Sequence, residues 1–461
     1  MTTLIPKSIA MREMVALLKL SIPLIITGFI ESSVGFFSTL FLAHLGEREL
    51  AAGAMVTWIF VTMMVVLWGA LTSVSVLVSQ KHGAKDVKGV TYAVRDGLLL
   101  ATLFVIPATL LLWFTPTLLL HMGQDPANVA LTESYMRGLV WGIFPDFTGL
   151  VLMQFLIGLG HTRSNLMFSL MWVPLNIFCN YVLMFGKLGL PVLGMVGIGW
   201  GTTIAYWIST LLLFFYLLWD KNYRVYFKGI FAWYKPRYLL ELWQIGLPMG
   251  AMYCIEISFF MVLTLVAGKL GEHVLAANQI ALQYMGVISV FTFAMAQAIT
   301  VRIGHVLGQN DFSKAVYAAY LGIILGTFLM FLAALTYIFA PDFLISIDLN
   351  LADPKNAEVI RCIKEFFIFI AIFQILEATR FGFFGALRGF KDTRFTMLTS
   401  LVTFWGIDFP LGYFLAFYCN WGSTSFWWAM LLGECVGILL LFARFRYRVR
   451  TYERRQRLLQ N

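Results

Sequence analysis

Leu45-Gly46-Glu47-Arg48-Glu49-Leu50-Ala51-Ala52 is written a second time further along the chain, as Leu270-Gly271-Glu272-His273-Val274-Leu275-Ala276-Ala277. The offset is 225 residues, and without a gap it also carries Pro23 onto Pro248, Glu31 onto Glu256, Gly83 onto Gly308 and Asp86 onto Asp311. A second register, offset by 231 residues, sets Asp146 on Glu377, Leu156 on Leu387, Gly158 on Gly389 and Thr162-Arg163 on Thr393-Arg394. The chain thus contains one unit twice, with acids at matching positions.

The unit is a membrane unit. Of 461 residues, 60% are apolar and only 12% charged, about half the charge of soluble domains. Apolar runs between charged or Gly/Pro-rich breaks fall near 16–42, 51–79, 97–119, 135–157, 166–186 and 193–219. The second copy has runs near 239–267, 275–303, 316–340, 363–386, 396–418 and 425–443. Most exceed the roughly 20 residues that cross a bilayer. The expected architecture is an all-α integral membrane protein of twelve transmembrane helices in two pseudo-symmetric six-helix bundles. Its divisions are an N-terminal lobe over 1–220, a cytoplasmic basic and aromatic linker over 221–238, a C-terminal lobe over 239–444 and a basic cytoplasmic tail over 445–461. The first apolar run is too long for a cleaved signal and is read as the first span.

The net charge of +9 invites a nucleic-acid reading, which the placement of the charges removes. Of the 33 Lys and Arg, only Arg48, Arg137, Lys187, Lys269, Lys355, Arg361 and Lys364 fall on one side, and Arg380 falls within a span. The rest sit in the loops and ends of the other side, so both termini are expected in the cytoplasm. The linker, with Lys221, Arg224, Tyr226, Phe227, Trp233, Tyr234, Lys235 and Arg237, is expected at the lipid surface. Six spans per copy give both copies the same orientation, the parallel kind of repeat. The five cysteines show neither paired spacing nor a ligand pattern with His and read as packing residues.

Acids inside apolar helices carry the functional argument. A charge at the bilayer centre costs roughly 2.5–3.5 kcal/mol on insertion scales. Two repeat-matched pairs, Glu31 with Glu256 and Asp146 with Glu377, imply a use. Such a carboxyl can hold a proton or a metal cation and release it when its surroundings open to water. Arg380 lies three residues beyond Glu377, on the same helical face. It either forms a standing salt bridge with Glu377 or swings to it when the ion leaves. Asn176, Asn180, Asn278, Gln279 and Gln283 are intramembrane amides that serve equally as interhelical hydrogen bonds or as ligands. Phe36, Phe37, Phe259 and Phe373 lie near the acids, as packing or as walls for flat organic cations. Gly382, Gly385 and Gly389 form a small-residue face suited to close helix packing. Asp408 and Glu434 are intramembrane acids without a repeat partner. No phosphate-binding loop, nucleophile elbow or zinc-helix motif appears, so the expectation is a gradient-driven transporter and not an enzyme, with no cofactor.

Several stretches together resemble the multidrug and toxic compound extrusion (MATE) family in its bacterial NorM-type branch. They are Phe185-Gly186-Lys187-Leu188-Gly189-Leu190-Pro191 with Gly194-Met195-Val196-Gly197, Gly246-Leu247-Pro248 leading to Glu256, and Leu275-Ala276-Ala277-Asn278-Gln279. Ala386-Leu387-Arg388-Gly389-Phe390-Lys391-Asp392-Thr393 is the fourth. The resemblance covers nearly the whole chain. It implies two six-helix bundles arranged as a V, in a bacterial inner membrane, exporting drug-like and mostly cationic compounds against inward H⁺ or Na⁺. Glu256 matches the family's acid of the seventh helix and Glu377 that of the tenth, and a Na⁺ ion would sit near Glu256. Ser38 stands where many members carry Asp, Phe373 where an aromatic hydroxyl is common, and Arg380 where a neutral amide is usual. The expected partners are small organic substrates and the lipid bilayer, with no nucleic acid, and the protein is expected to be a monomer. A lipid-linked precursor flippase is the alternative. It would need several basic side chains facing a pyrophosphate, and the spans supply Arg380.

Overall fold

The computed structural model describes residues 7–230, 232 and 235–460, with side chains described from 10 to 454. Trp233 and Tyr234 of the linker, and the side chains of the tail beyond 454, lie outside the described residues. The chain is helical from end to end: α1 (Lys7–Leu45), α2 (Glu47–Leu71), α3 (Ser73–Gly83), α4 (Val87–His121), α5 (Pro126–Val140), α6 (Ile143–Gly158), α7 (Thr162–Phe185), α8 (Met195–Trp219) and α9 (Lys221–Phe227). The second copy continues with α10 (Leu239–Leu270), α11 (Glu272–Gly308), α12 (Phe312–Phe339), α13 (Pro341–Asp348), α14 (Ala357–Gly389) and α15 (Thr393–Ser400). A π-helical stretch, Leu401–Asp408, leads into α16 (Phe409–Phe417), and α17 (Ser425–Gln460) closes the fold.

Among the described residues, ten helices are long and apolar enough to cross a membrane, and the bent pair α5 and α6 makes an eleventh. The remaining segment expected from sequence is α14. At 33 residues it is long enough, but Glu358, Arg361, Lys364, Glu365, Glu377, Arg380 and Arg388 interrupt its apolar character. Its interior charges need partners inside the bundle, which is where the functional site forms.

The repeat is a repeat of backbone devices. Gly46 (φ 151°) and Gly271 (φ 133°) each make a one-residue break between long helices, a conformation that favours glycine. At four other breaks the chain leaves a helix through a residue with positive φ: Lys85, Gly160, Asn310 and Lys391. In each, the next backbone N–H reaches back five residues, at Asp86 to Lys81, His161 to Leu156, Asp311 to Val306 and Asp392 to Leu387, over 2.9 to 3.2 Å. This closes the helix carbonyls in the manner of a Schellman turn. Asp86 and Asp311 then cap the following helices by accepting from Gly89 and Lys314.

Packing repeats as well. A Cβ on Gly158 would meet the Val78 side chain and the Ser75 carbonyl, and one on Gly389 would meet Ile303 and the Thr300 carbonyl. These are the same contacts at the 225- and 231-residue offsets. Gly385 is tighter still, since its Cβ would run into the Ala296 carbonyl oxygen. The glycine face of α14 thus lets α11 approach at backbone distance, as its spacing predicts.

Two compact units result, one formed by Ile22–Gly250 and the other by Met1–Ser21 with Ala251–Asn461. The division in space differs from the lobes 1–220 and 239–444 drawn on the repeat: the start of α1 groups with the second unit and the start of α10 with the first. In the second unit Leu17 joins a buried cluster with Met252, Ile299 and Phe384. Glu13, 1% exposed, receives a bidentate pair of hydrogen bonds from Arg302 at 2.7 and 2.6 Å. In the first unit Leu242, Ile245 and Met249 of α10 join the core built around Phe147 and Phe155. The linker follows the same unit. Tyr223, Phe227 and Ile230 are buried in that core, so these linker residues pack into protein and not at a lipid surface. Arg95 donates to the carbonyls of Gly229 and Ala232, and Asp96 accepts the backbone N–H groups of Arg237 and Tyr238.

At the end of α14, Asp392 is held by Arg444 and Arg448 of α17 at 2.8 and 2.6 Å. Burial acts to raise its carboxyl, and the hydrogen bonds from the two arginines more than reverse this, leaving it below its ordinary 3.8. A lowered folded value gives stability that is present above the ordinary carboxylate range and is lost as pH falls through the lowered value. Asp392→Asn is therefore expected to lower the detergent melting temperature at pH 7, with the gap to wild type closing below about pH 4. Gly385→Val should cost about 1–3 kcal/mol through the forced separation of α11 and α14. An unchanged melting temperature in this variant would contradict the close contact.

Candidate ion-coupling and substrate site

In the first unit Glu31 of α1 accepts a hydrogen bond from the Ser169 hydroxyl of α7 at 2.8 Å. Asp146, in the first turn of α6, accepts from the Trp68 indole at 2.8 Å. Asn176 and Asn180 are buried one turn apart on α7, and the Asn180 amide donates to the Asn176 oxygen at 3.0 Å. Thr202 donates to the Asn180 oxygen at 3.3 Å, and a Cβ on Gly201 would run into that oxygen. Asn180 thus ties α7 to α8, the interhelical role, while the Asn176 amide nitrogen has no partner among the described residues.

In the second unit Glu256 of α10 is 7% exposed and accepts from the Ser400 hydroxyl at 3.0 Å. Ser169 and Ser400 are 231 residues apart, so each repeat-matched acid is held by a repeat-matched serine. That match is present in the sequence as two serines at the second offset, but an isolated serine in a span carries no signal of its own.

The units part at Arg380. Its Nη1 donates to Glu256 at 2.8 Å and its Nε to Glu434 of α17 at 2.8 Å, with the side chain 1% exposed. The spacing-based pairing with Glu377 is therefore not the bond Arg380 makes. Both α10 and α17 flank it with carboxylates, while Glu377 is reached by the Ser289 hydroxyl at 3.4 Å. The guanidinium also faces the rings of Phe381, Phe384 and Phe404 at 4.8, 4.9 and 5.0 Å. Glu434, which the repeat does not predict, is thus a direct member of the site. At the position matching Arg380 in the first copy stands Gly149, where a Cβ would meet the Thr210 hydroxyl at 2.6 Å. The first unit has no counterpart of the arginine.

Asp408, 1% exposed, ends the π-helical stretch that begins beside Ser400, and neither of its oxygens has a hydrogen-bond partner among the described residues. Its carboxylate lies over Gly433, where no side chain fits. π-helical turns recur at functional sites, and here one separates Ser400 on Glu256 from Asp408. Phe259 and Phe373 are fully buried in the core, whereas Phe36 is exposed and Phe37 partly so. Asn278 is buried, and Gln279 and Gln283 are exposed on α11, apart from the Arg380 cluster. Gln374 donates its amide to the Met285 carbonyl at 3.1 Å.

Removing one partner from a buried ion cluster leaves an uncompensated charge and typically costs 3–5 kcal/mol. Arg380→Met is expected to destabilise the protein on that scale, measured by thermal unfolding in detergent. Adding Glu256→Gln and Glu434→Gln to it should restore most of the loss. A triple variant no more stable than Arg380→Met alone would deny that the two carboxylates are what the arginine compensates.

The MatE family model matches residues 23–182 and 248–414, one match in each copy of the repeat. The multidrug resistance protein NorM of Burkholderia vietnamiensis is 33% identical over 447 residues, covering 96% of this chain and 96% of that protein. A probable multidrug resistance protein NorM of Burkholderia mallei is 34% identical over 430 residues, with 93% and 91% covered. The fold is shared with the eukaryotic MATE transporter AtDTX14 at a TM-score of 0.80 and 20% identity, covering 97% of this chain and 99% of that one. It is shared too with a MOP-superfamily transporter of Pyrococcus furiosus, at a TM-score of 0.83 and 19% identity over 96% and 97% of the two chains. The repeat, the apolar helices and these matches agree: the chain belongs to the MatE family, a multi-pass membrane transporter of the multidrug efflux class and not an enzyme.

Proposed function

We propose that the protein is a secondary antiporter of a bacterial inner membrane that exports organic, mostly cationic compounds in exchange for inward H⁺ or Na⁺, with both termini in the cytoplasm. The observation that carries the coupling is Glu256, a nearly buried carboxylate inside an apolar helix, held by Ser400 and countered by Arg380. A carboxylate that a cation must neutralise, with a counter-charge beside it, can bind either a coupling ion or a cationic drug but not both at full strength. Entry of the ion weakens the hold on the drug, and coupling of a few kcal/mol is enough to shift the populations of two states. Glu31 with Ser169 offers a second carboxylate of the same design, without an arginine. The Lys and Arg distribution supports the orientation.

The flippase alternative needs cationic side chains free to meet a pyrophosphate. Arg380 is engaged by two carboxylates, so it offers none. In proteoliposomes loaded with ethidium, Glu256→Gln is expected to slow gradient-driven export at least about tenfold, on the order of the loss of one ion-assisted contact. Export at the wild-type rate by a well-folded Glu256→Gln protein would overturn the assignment.

A further inference from the structure

We propose that Arg380 occupies, between Glu256 and Glu434, the place a metal cation would take, so that this triad exchanges one proton and is closed to Na⁺. The inference rests on the reading of the protein as an ion-coupled exporter and names its ion.

The guanidinium joins carboxylates from two helices, at 2.8 Å from Nη1 to Glu256 and 2.8 Å from Nε to Glu434. Arginine does not lose its proton in proteins, so it cannot leave this position by becoming neutral. A hard cation needs a shell of oxygens. The oxygens bonded within the triad are those of Glu256, Glu434 and Ser400, the first two already committed to the guanidinium, while the unpartnered carboxylate of Asp408 nearby sits against Gly433 of α17. The rest of the wall is Phe381, Phe384 and Phe404, which attract a guanidinium through their faces but give a metal ion no oxygen. Phe373 of α14 is fully buried and its side chain offers no oxygen, while the Gln374 side-chain oxygen, which has no hydrogen-bond partner among the described residues, bonds none of the triad.

With both acids ionised the triad carries one net negative charge, which a single proton cancels. The proton adds to a Glu256 carboxylate oxygen, and the charged part of the bond to Nη1 is lost. Arg380 keeps Glu434 as its acceptor, so protonation does not strand a buried cation. Glu434 is thus the positioning residue that lets Glu256 take up and release a proton. The other titratable groups around the triad are Glu377 one turn earlier on α14 and Asp408 at the end of the π-helical stretch, both near enough to act on it electrostatically. Arg388, further along α14, is directed to the Met252 sulfur and the Tyr253 ring.

The test uses the full-length protein in liposomes, with ethidium export under an imposed pH gradient and, separately, under a Na⁺ gradient at constant pH. It compares wild type with the double variant Arg380→Gln/Glu434→Gln, which removes the guanidinium without leaving two buried charges. The wild type is expected to export under the pH gradient and to ignore Na⁺. The double variant is expected to become Na⁺-responsive, at least about threefold, because Glu256 and Ser400 are then free to take a cation. A parallel melting measurement in NaCl against choline chloride needs no transport. There, wild type should be indifferent and the double variant should rise by about 3 °C at saturating Na⁺. Na⁺-driven export by wild type, Na⁺-dependent melting of wild type, or a double variant that ignores Na⁺ in both assays would overturn the inference. A wild type that exports no dye under either gradient would overturn the antiporter reading, while the melting comparison would still decide whether Arg380 shuts the site to Na⁺.

Discussion

A guanidinium that cannot shed its charge is held inside an apolar bundle, and much of the second unit is arranged around it. Taking an ion from water into such a medium costs several kcal/mol even after relaxation, so Arg380 needs acceptors on every side it presents. They come from Glu256 on α10 and Glu434 on α17, with aromatic faces closing the remaining directions. α17 can come close enough because Gly437 lets its backbone close in: a Cβ there would meet the Thr403 side chain at 2.9 Å and Arg380 itself at 3.4 Å. Charge and close packing therefore require each other at this point.

The two units share one design and use it differently. Both hold the α1 or α10 acid by a serine from the helix that follows the second break, and both leave and enter helices by the same five-residue closure. Only the second adds an internal cation. In the first, Gly149 stands in the corresponding place against Thr210, and the acids Glu31 and Asp146 are met by neutral donors, a hydroxyl and an indole N–H. A neutral donor can serve an ionised or a protonated carboxyl at modest cost, whereas beside an arginine protonation of the carboxyl also gives up the charged part of the bond. The duplication thus yields two carboxylate sites with different electrostatics.

The repeat, the membrane class, the acids at matched positions of the repeat and the glycine face of α14 were all legible in the sequence, because each depends on residue type and spacing along the chain. So was the resemblance to the MATE family, which the family match and the NorM relatives bear out. The partner of Arg380 was not legible. Spacing offered Glu377 on the same helix face, but the bond goes to Glu256 and Glu434, which lie 124 and 54 residues away in sequence. The linker shows the same limit: its aromatic and basic residues look like a lipid-surface segment, yet Tyr223 and Phe227 complete the core of the first unit.

The sequence by itself determined that two copies of a helical membrane unit carry carboxyls where a bilayer would exclude them, since hydropathy and periodicity are local properties. Tertiary structure decided which carboxyl meets which cation. It made Glu434 a member of the site, left Glu377 to a serine, and placed the starts of α1 and α10 in units other than those of their own repeats. The reason is physical. A buried charge is satisfied by whichever group packing brings within about 3 Å, and packing between helices is not written in the spacing along any one of them.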